Sequence, residues 1–322
     1  MVISRTPHRM SFFGGGSDYK GYYERFEGSV LAATFNKYCY VMVRDFPQIF
    51  AYKNQFTYSK IERFNTPDEV EHPLVREALK YLGADCIQIS YDSDLPARSG
   101  IGSSSAFAVG LLNSIYYSRG IQKDKLSLAR EAIMLERDLC AEAGGIQDQI
   151  AVAFGGLNRI NFNAEGFTVL PLELPLATVK QLNDSLLLML TGFQRDFREF
   201  AAEQQNRIDL NLPLLHEMVA LVDEGEKVLK SGKLNDFGLL MDHTWRLKRS
   251  LAKSVSTLNI DACYQRALNA GATGGKLLGA GGGGFMLLFV EPDKKQHVIE
   301  EMSDLLNISF SFENSGTQIL YA

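Results

Sequence analysis

Two glycine clusters, with a pair of acidic residues set between them, constrain this chain more than any other feature of its 322 residues. The first cluster lies in Leu95 to Ala106, which reads L-P-A-R-S-G-I-G-S-S-S-A and leads into Phe107, Leu111 and Ile115 at helical spacing. Gly100 and Gly102 open backbone conformations closed to other residues, so consecutive N–H groups can turn toward an anion. Ser103, Ser104 and Ser105 then begin a helix whose unpaired N–H groups and dipole favour negative charge. Taken alone, such a cluster also describes an ordinary capped helix after a turn. The second cluster, Gly279 to Gly284, and the intervening Glu136 and Asp148 tip the expectation toward a phosphate cradle.

Length and composition narrow the class. A chain of this size suits two domains, expected at 1–175 and 176–322. Apolar residues at 46% and charged residues at 22% belong to a soluble globular protein. No apolar run approaches the roughly 18–20 residues that span a bilayer. Arg5, His8 and Arg9 interrupt any signal-like core, so a cytoplasmic protein without membrane contact is expected. Cys39, Cys86, Cys140 and Cys263 are far apart, without a C-x-x-C pair, and read as reduced core residues. Five scattered histidines lack zinc-ligand spacing. A net charge of −5 argues against a nucleic-acid partner, so any anionic ligand must be held by a few local basic groups.

The pattern predicts strands at Met10–Phe13, Tyr38–Arg44, Ile87–Tyr91, Leu157–Phe162, Thr168–Leu172 and Leu186–Thr191. It predicts helices after Ser103 and over Leu126–Cys140, then an almost wholly helical stretch from Phe193 to Ala270. Strands at Phe285–Val290, Ile308–Phe312 and Thr317–Tyr321 flank a helix starting at Asp293, with Gln296 placed for a capping box. Trp245 sits on a helical stripe that reads as core or interface packing. This order is α+β.

Familiar nucleotide motifs fail. At Gly275-Lys276 the Walker pattern lacks its leading glycine and its following Ser or Thr. The G-x-G-x-x-G at Gly279 to Gly284 precedes a strand instead of joining a strand to a helix. Neither a kinase H-R-D loop nor a hydrolase nucleophile context around Ser104 is found. Three segments do resemble, in order, the motifs of the GHMP small-molecule kinases, named for galactokinase, homoserine kinase, mevalonate kinase and phosphomevalonate kinase. They are R-T-P-H-R-M-S-F-F-G-G-G-S-D-Y from Arg5 to Tyr19, the loop at Leu95–Ala106, and G-A-T-G-G-K-L-L-G-A-G-G-G-G-F from Gly271 to Phe285.

That resemblance implies a two-domain kinase fold. An N-terminal mixed α/β ATP-binding domain would face a C-terminal helix-rich, ferredoxin-like domain, with the active site between them. It implies ATP with Mg²⁺, the phosphates wrapped by Pro96, Arg98, Ser99, Gly100, Ile101, Gly102, Ser103, Ser104 and Ser105. The Ser104 hydroxyl and Glu136 would hold the metal, an oxygen donor set that suits magnesium. By the same resemblance Asp148 is the catalytic base and Arg9 the cation beside the reacting hydroxyl. From the residues alone, Asp148 after Gly-Gly is equally a helix cap, and Glu136 an exposed ion-pair partner.

The acceptor is implied to be a sugar, bound by Arg5, Gly15, Gly16, Ser17, Asp18 and Tyr19, by Gln147, and by Gly281, Gly282 and Gly283 closing from the second half. Gly15 and Gly16 replace the Glu and His of the galactokinase segment, which disfavours galactose. The variant as a whole is most similar to the D-glycero-D-manno-heptose 7-phosphate kinases of the family. This implies phosphorylation of the anomeric hydroxyl of a sugar phosphate to the 1,7-bisphosphate, by a monomer or homodimer. Arg195 could fork onto the sugar's phosphate or be a plain surface arginine. Arg98 could meet ATP, the sugar phosphate or an acidic neighbour. The alternatives are a free-sugar kinase for fucose, mannose or galactose, and a non-catalytic nucleotide-binding regulator.

Overall fold

The computed structural model describes every residue except 193–196, and of 197–200 the helical backbone only. From the N-terminus the chain runs β1 (Val2–Phe13), α1 (Lys20–Phe26), β2 (Gly28–Asp45), β3 (Asn54–Thr57), β4 (Ile61–Phe64), α2 (Pro73–Leu82) and β5 (Ile87–Ser93). It continues through α3 (Ser103–Ser118), α4 (Lys125–Ile133), α5 (Gln147–Phe154), β6 (Leu157–Asn163) and β7 (Gly166–Pro171). The second half holds α6 (Leu176–Asp184), β8 (Leu186–Leu190), α7 (Phe197–Asn206), α8 (Leu212–Ser231), α9 (Leu234–Leu251) and α10 (Leu258–Asn269). Last come β9 (Ala272–Leu277), β10 (Phe285–Val290), α11 (Lys295–Glu301), β11 (Leu306–Ile308) and β12 (Gln318–Tyr321).

The long strand β2 organises the first sheet. Of its 18 residues, those from Leu31 to Val43 pair antiparallel with β1 along one edge. Along the other edge its start pairs with β6 and its end with β5. The order is β12-β1-β2-β5-β3-β4, with β6 and β7 branching from β2 and only β3–β5 parallel. The first eight residues of β2 and the last eight of β1 are all buried, because both faces of the sheet are covered. One face carries the core shared with α2, α3, α4 and α5. The other face packs Phe12 and Phe13 edge-on to Phe237 of α9, at 5.3 and 4.9 Å between centroids. A single apolar core thus joins the first sheet to the second half.

The second sheet is antiparallel in the order β11-β8-β10-β9. Trp245 is fully buried on its far side against Tyr264, which fulfils the packing expectation. Helix α3 packs closely on β1 because Gly110 faces it. A Cβ there would stand 2.9 Å from Thr6 Oγ1, and the Ser4 hydroxyl donates to the Gly110 carbonyl at 3.0 Å. This contact sets where the N-terminus of α3, and hence the glycine–serine loop, must sit.

Several expectations are corrected. The helix expected over Leu126–Cys140 is α-helical over Lys125–Ile133 and widens into a π-helix over Met134–Leu139, within which Glu136 is buried. The strand expected at Ile308–Phe312 pairs only over Leu306–Ile308. The chain then crosses back, Phe312 bridging Phe35 and β12 pairing with β1. No side chain caps α11, whose N-cap is Lys294. Strand β9 went unread because Gly274 and Gly275 interrupt it. A Cβ at Gly274 would collide with the Gly238 carbonyl of α9, so packing demands glycine there. Among the described residues no helix is long and apolar enough to cross a membrane.

Candidate active site

The glycine–serine loop, β1, α5, α9 and β9 converge on one cavity of about 810 Å³. Gly100 and Gly102 hold φ of +83° and +74°, and Gly102 is the N-cap of α3. No side chain caps this helix, so its first N–H groups stay open to the cavity. The Ser103 hydroxyl is buried there without a partner among the described residues. The second glycine cluster lies beneath this loop. A Cβ at Gly279 would stand 2.5 Å from Gly100 Cα, and one at Gly284 would strike the Ser99 carbonyl. Phe285 N donates to that same carbonyl at 3.1 Å. Two glycine backbones in direct contact fix the cradle, since neither segment tolerates a side chain at the crossing.

Beside the loop, Arg9 and Asp148 form a fork. Arg9 Nε donates to Asp148 Oδ1 at 2.7 Å and Nη2 donates to Oδ2 at 2.5 Å. The third guanidinium nitrogen donates to the Gly100 carbonyl at 2.6 Å, so one buried arginine ties the acidic residue to the phosphate loop. Arg9 is 5% exposed and Asp148 24%, the carboxylate facing the cavity. Asp148 heads α5 as expected for a residue in a first helical turn, yet its partner is a side chain from β1.

Asp18 is wholly buried. Its carboxyl accepts from Gly16 N at 3.0 Å and Gln147 N at 3.2 Å. Burial raises its pKa, and the neighbouring Asp148 raises it further. A Cβ at Gly145 would fall within the Asp18 carboxylate, which explains the second glycine of the Gly144-Gly145 pair. Ser11 Oγ and Gln147 Oε1 line the same region, buried and without partners among the described residues. They are ready-made sites for a ligand's hydroxyl groups.

Glu136, 1% exposed, is not a surface ion-pair partner. Its two oxygens accept from Ser104 Oγ at 2.6 Å, Ser105 Oγ at 2.7 Å and Gln149 Nε2 at 2.5 Å. The exposed Ser104 hydroxyl and the near oxygen of Glu136 both border the cavity next to the phosphate loop. Two adjacent hard oxygens with room for waters and phosphate oxygens fit magnesium, which takes few protein ligands. Among the described residues no cluster of three or more His, Cys, Asp or Glu forms a competing metal site.

Sequence reasoning missed three groups. Lys248 of α9 and Lys276 of β9 line the cavity although each is under a tenth exposed. Lys276 Nζ donates to the Phe12 carbonyl at 3.0 Å. Lys248 Nζ donates to the carbonyls of Leu277, at 2.9 Å, and Gly279. Burial, then Arg9, pushes the Lys276 pKa down to about 7. Burial, then Lys276, holds Lys248 well below the ordinary lysine range. Lys276 had a faint signal in the failed Walker pattern; Lys248 had none. Beyond the loop the cavity turns aromatic. Phe56 stacks on Tyr58 at 4.6 Å, and Tyr91 meets Phe107 edge-on at 4.7 Å. His72 stands edge-on to Phe56. The third group is Arg137, which donates to the carbonyls of Gly145, at 3.1 Å, and Glu142, at 3.0 Å, and so holds the wall over Asp18.

Other expected site residues lie elsewhere. Arg5 donates to Gln318 of β12 and lies 4.5 Å over the Tyr38 ring, away from the cavity, because the C-terminal strand returns to β1. Ser17 spends its hydroxyl on the Gly14 and Ser29 carbonyls. Gly281 and Gly282 pack against Val255, and neither they nor Gly283 line the cavity; Gly279 and Ala280 do. Pro96 and Ile101 support the loop from outside the cavity wall, Pro96 accepting from Ser99 Oγ at 2.6 Å. Gly15, Gly16 and Tyr19 line the acceptor end. Arg98 stands exposed on the rim, and among the described residues it makes no ion pair with an acidic side chain. Arg195 lies outside the described residues.

Comparison with known proteins adds independent findings. The family description "GHMP kinases N terminal domain" matches residues 73–156 and "GHMP kinases C terminal" matches 226–308. Together these span just over half of the chain. The chain is 28% identical to the D-glycero-alpha-D-manno-heptose 7-phosphate kinase of Campylobacter jejuni, over 98% of both chains. It is 31% identical to the L-fucokinase/L-fucose-1-P guanylyltransferase of Bacteroides fragilis, over 68% of this chain and 24% of that protein. A crystal structure of a D-glycero-D-manno-heptose 1-phosphate kinase from Bacteroides thetaiotaomicron superposes with a TM-score of 0.80. That match is at 23% identity and covers 100% of this chain and 99% of that one.

Proposed function

The chain belongs to the GHMP kinase family, and from that premise we propose that it transfers the γ-phosphoryl group of ATP to the anomeric hydroxyl of a sugar phosphate, with D-glycero-D-manno-heptose 7-phosphate as the preferred acceptor. It is a phosphotransferase with an alcohol acceptor. One observation carries the transfer step: Arg9 binds Asp148 through two nitrogens and the Gly100 carbonyl through the third, so Asp148 and the phosphate loop share one rigid clamp, while the choice of acceptor is supported by the likeness to the heptose 7-phosphate kinase.

In this mechanism the aromatic end formed by Phe56, Tyr58, Tyr91 and Phe107 receives the base. The open N–H groups of α3 and the Ser103 hydroxyl bind the phosphates. Ser104 and Glu136 would hold Mg²⁺, which when bound neutralises phosphate charge. Asp18, with Ser11 and Gln147, fixes the sugar through its hydroxyls. The anomeric oxygen forms a bond to the γ-phosphorus as the bond from that phosphorus to the β–γ bridging oxygen breaks and ADP leaves. The transition state is loose, so the alcohol's proton is not needed elsewhere until the new bond forms. Asp148 aims the hydroxyl and receives that proton, while Arg9 neutralises charge on the transferring group. The division at 175/176 remains a proposal too. Each half supplies one wall of the cavity, and β12 crosses back to the first sheet.

A panel of phosphorylated and free sugars, followed by coupled ADP release, tests the proposal. Heptose 7-phosphate should give the highest kcat/KM. Equal or better use of fucose, mannose or galactose would overturn the phosphosugar assignment, and no ADP release with any sugar would leave a non-catalytic nucleotide binder.

A further inference from the structure

We infer that Lys248 and Lys276 form a subsite for a phosphoryl dianion, the one that the acceptor already carries. This rests on the proposed phosphosugar acceptor; the other phosphoryl group within the cavity would be the γ-phosphate of ATP.

Both side chains line the cavity and both are buried, at 7% and 3% exposure. Every acceptor they meet is a neutral carbonyl: Leu277 and Gly279 for Lys248, Phe12 for Lys276. An ammonium carries three N–H groups, so one donor on Lys248 and two on Lys276 have no acceptor among the described residues. The nearby carboxylates are already engaged. Asp148 gives both oxygens to Arg9, and Asp18 accepts from the backbone of Gly16 and Gln147. Of the charged side chains that line the cavity, six are basic and five acidic, in a chain whose net charge is −5.

Buried cations without a counter-ion are costly, and a fold retains them where a ligand completes the pair. A dianion does so for two lysines at once. Its location is defined as well. Lys276 spans from the second sheet to β1 of the first, and Lys248 hydrogen-bonds the Gly279 carbonyl, at the glycine that abuts Gly100. The subsite thus lies where the two halves meet, on the Asp18 and Arg9 side of the cavity. Burial lowers the pKa of both lysines, that of Lys276 to about 7, with Arg9 adding to the effect and Asp18 and Asp148 opposing it. An arriving dianion restores the charge, so binding takes up protons.

Two measurements test this. With the nucleotide site filled by a non-hydrolysable ATP analogue, sulfate is titrated calorimetrically at pH 8 in buffers of different ionisation enthalpy. Sulfate itself does not titrate there, and about one proton should be taken up per sulfate bound. No binding, or binding without proton uptake, overturns the subsite. Separately, Lys248→Met and Lys276→Met, checked for folding by thermal melting, should lower the ratio of kcat/KM for heptose 7-phosphate over free mannose by about tenfold to a hundredfold. An equal loss for both sugars, or a loss confined to the KM for ATP, assigns the lysines to the transferred phosphoryl or to the scaffold and overturns the inference. If the wild-type enzyme shows no preference for the phosphorylated sugar, the acceptor assignment fails, and the sulfate titration still decides whether the anion subsite exists.

Discussion

At its donor end the cavity is walled by amides, hydroxyls and rings, most of them from one loop and the helix it starts; at its acceptor end it is walled by buried charges from five separate segments. Ser103, Ser104 and Ser105 are neighbours in sequence, and the α3 N-terminus they form is uncapped by any side chain. Arg9, Asp18, Asp148, Lys248 and Lys276 come from β1, the turn after it, α5, α9 and β9. The difference is physical. Binding polyphosphate requires many weak, parallel donors, which a helix start supplies locally. Orienting and activating one hydroxyl requires strong charges aimed from several directions, which only a folded chain can assemble.

Substitutions at the two ends should therefore fail differently. The largest effect is expected at the acceptor end. Asp148→Asn should lower kcat by about 10²–10⁴-fold, while thermal melting shows a folded protein. Near-normal turnover would remove Asp148 from the chemistry. Gly145→Ala comes next, since the new methyl would displace the Asp18 carboxylate. A loss of about 1–3 kcal/mol in denaturant unfolding should accompany a raised KM for the sugar and an unchanged KM for ATP. At the donor end Glu136→Gln should move the Mg²⁺ concentration for half-maximal activity by about 10–100-fold or more, given what outer partners alone cost. An unaltered Mg²⁺ titration would show that Glu136 serves only to tie Ser104, Ser105 and Gln149 together.

The smallest expected effect is one of pH. Lys276 titrates at about 7 in the fold against an ordinary 10.5, so the unfolded chain binds the extra proton across that window. Stability should rise with pH from about 7 toward 10.5, and the burial penalty is complete below 7. Melting temperatures at pH 7 and pH 9 should differ by a few degrees in the wild type and by less in Lys276→Met. Equal slopes in the two proteins would mean that Lys276 keeps its charge in the fold.

The phosphate loop and its helix were legible because their information is contiguous, glycine for the turn and serines for the helix start. Asp148 and Arg9 were named as partners in chemistry, but residues do not announce a fork of 2.7 and 2.5 Å across 139 positions. Glu136 was expected on a regular helix, and it is buried within the π-helix at Met134–Leu139. Arg5 and Gly281 to Gly283 were assigned to substrate on motif membership. Strand β12 captures the first, and Val255 packs against Gly281 and Gly282. Strand β9 was hidden because glycine weakens strand preference locally, whereas the close approach of α9 requires it.

By itself, then, the sequence determined what is local: an anion-ready loop, a helix to follow it and the family to which the motifs belong. Tertiary structure alone decided which charges share the acceptor pocket and which glycines serve backbone contact instead of ligand. Turn and helix preferences act over a few residues, whereas Lys276 pairs with Phe12 and Asp18 with Gln147 across more than a hundred positions, and Lys248 with Leu277 and Gly279 across about thirty.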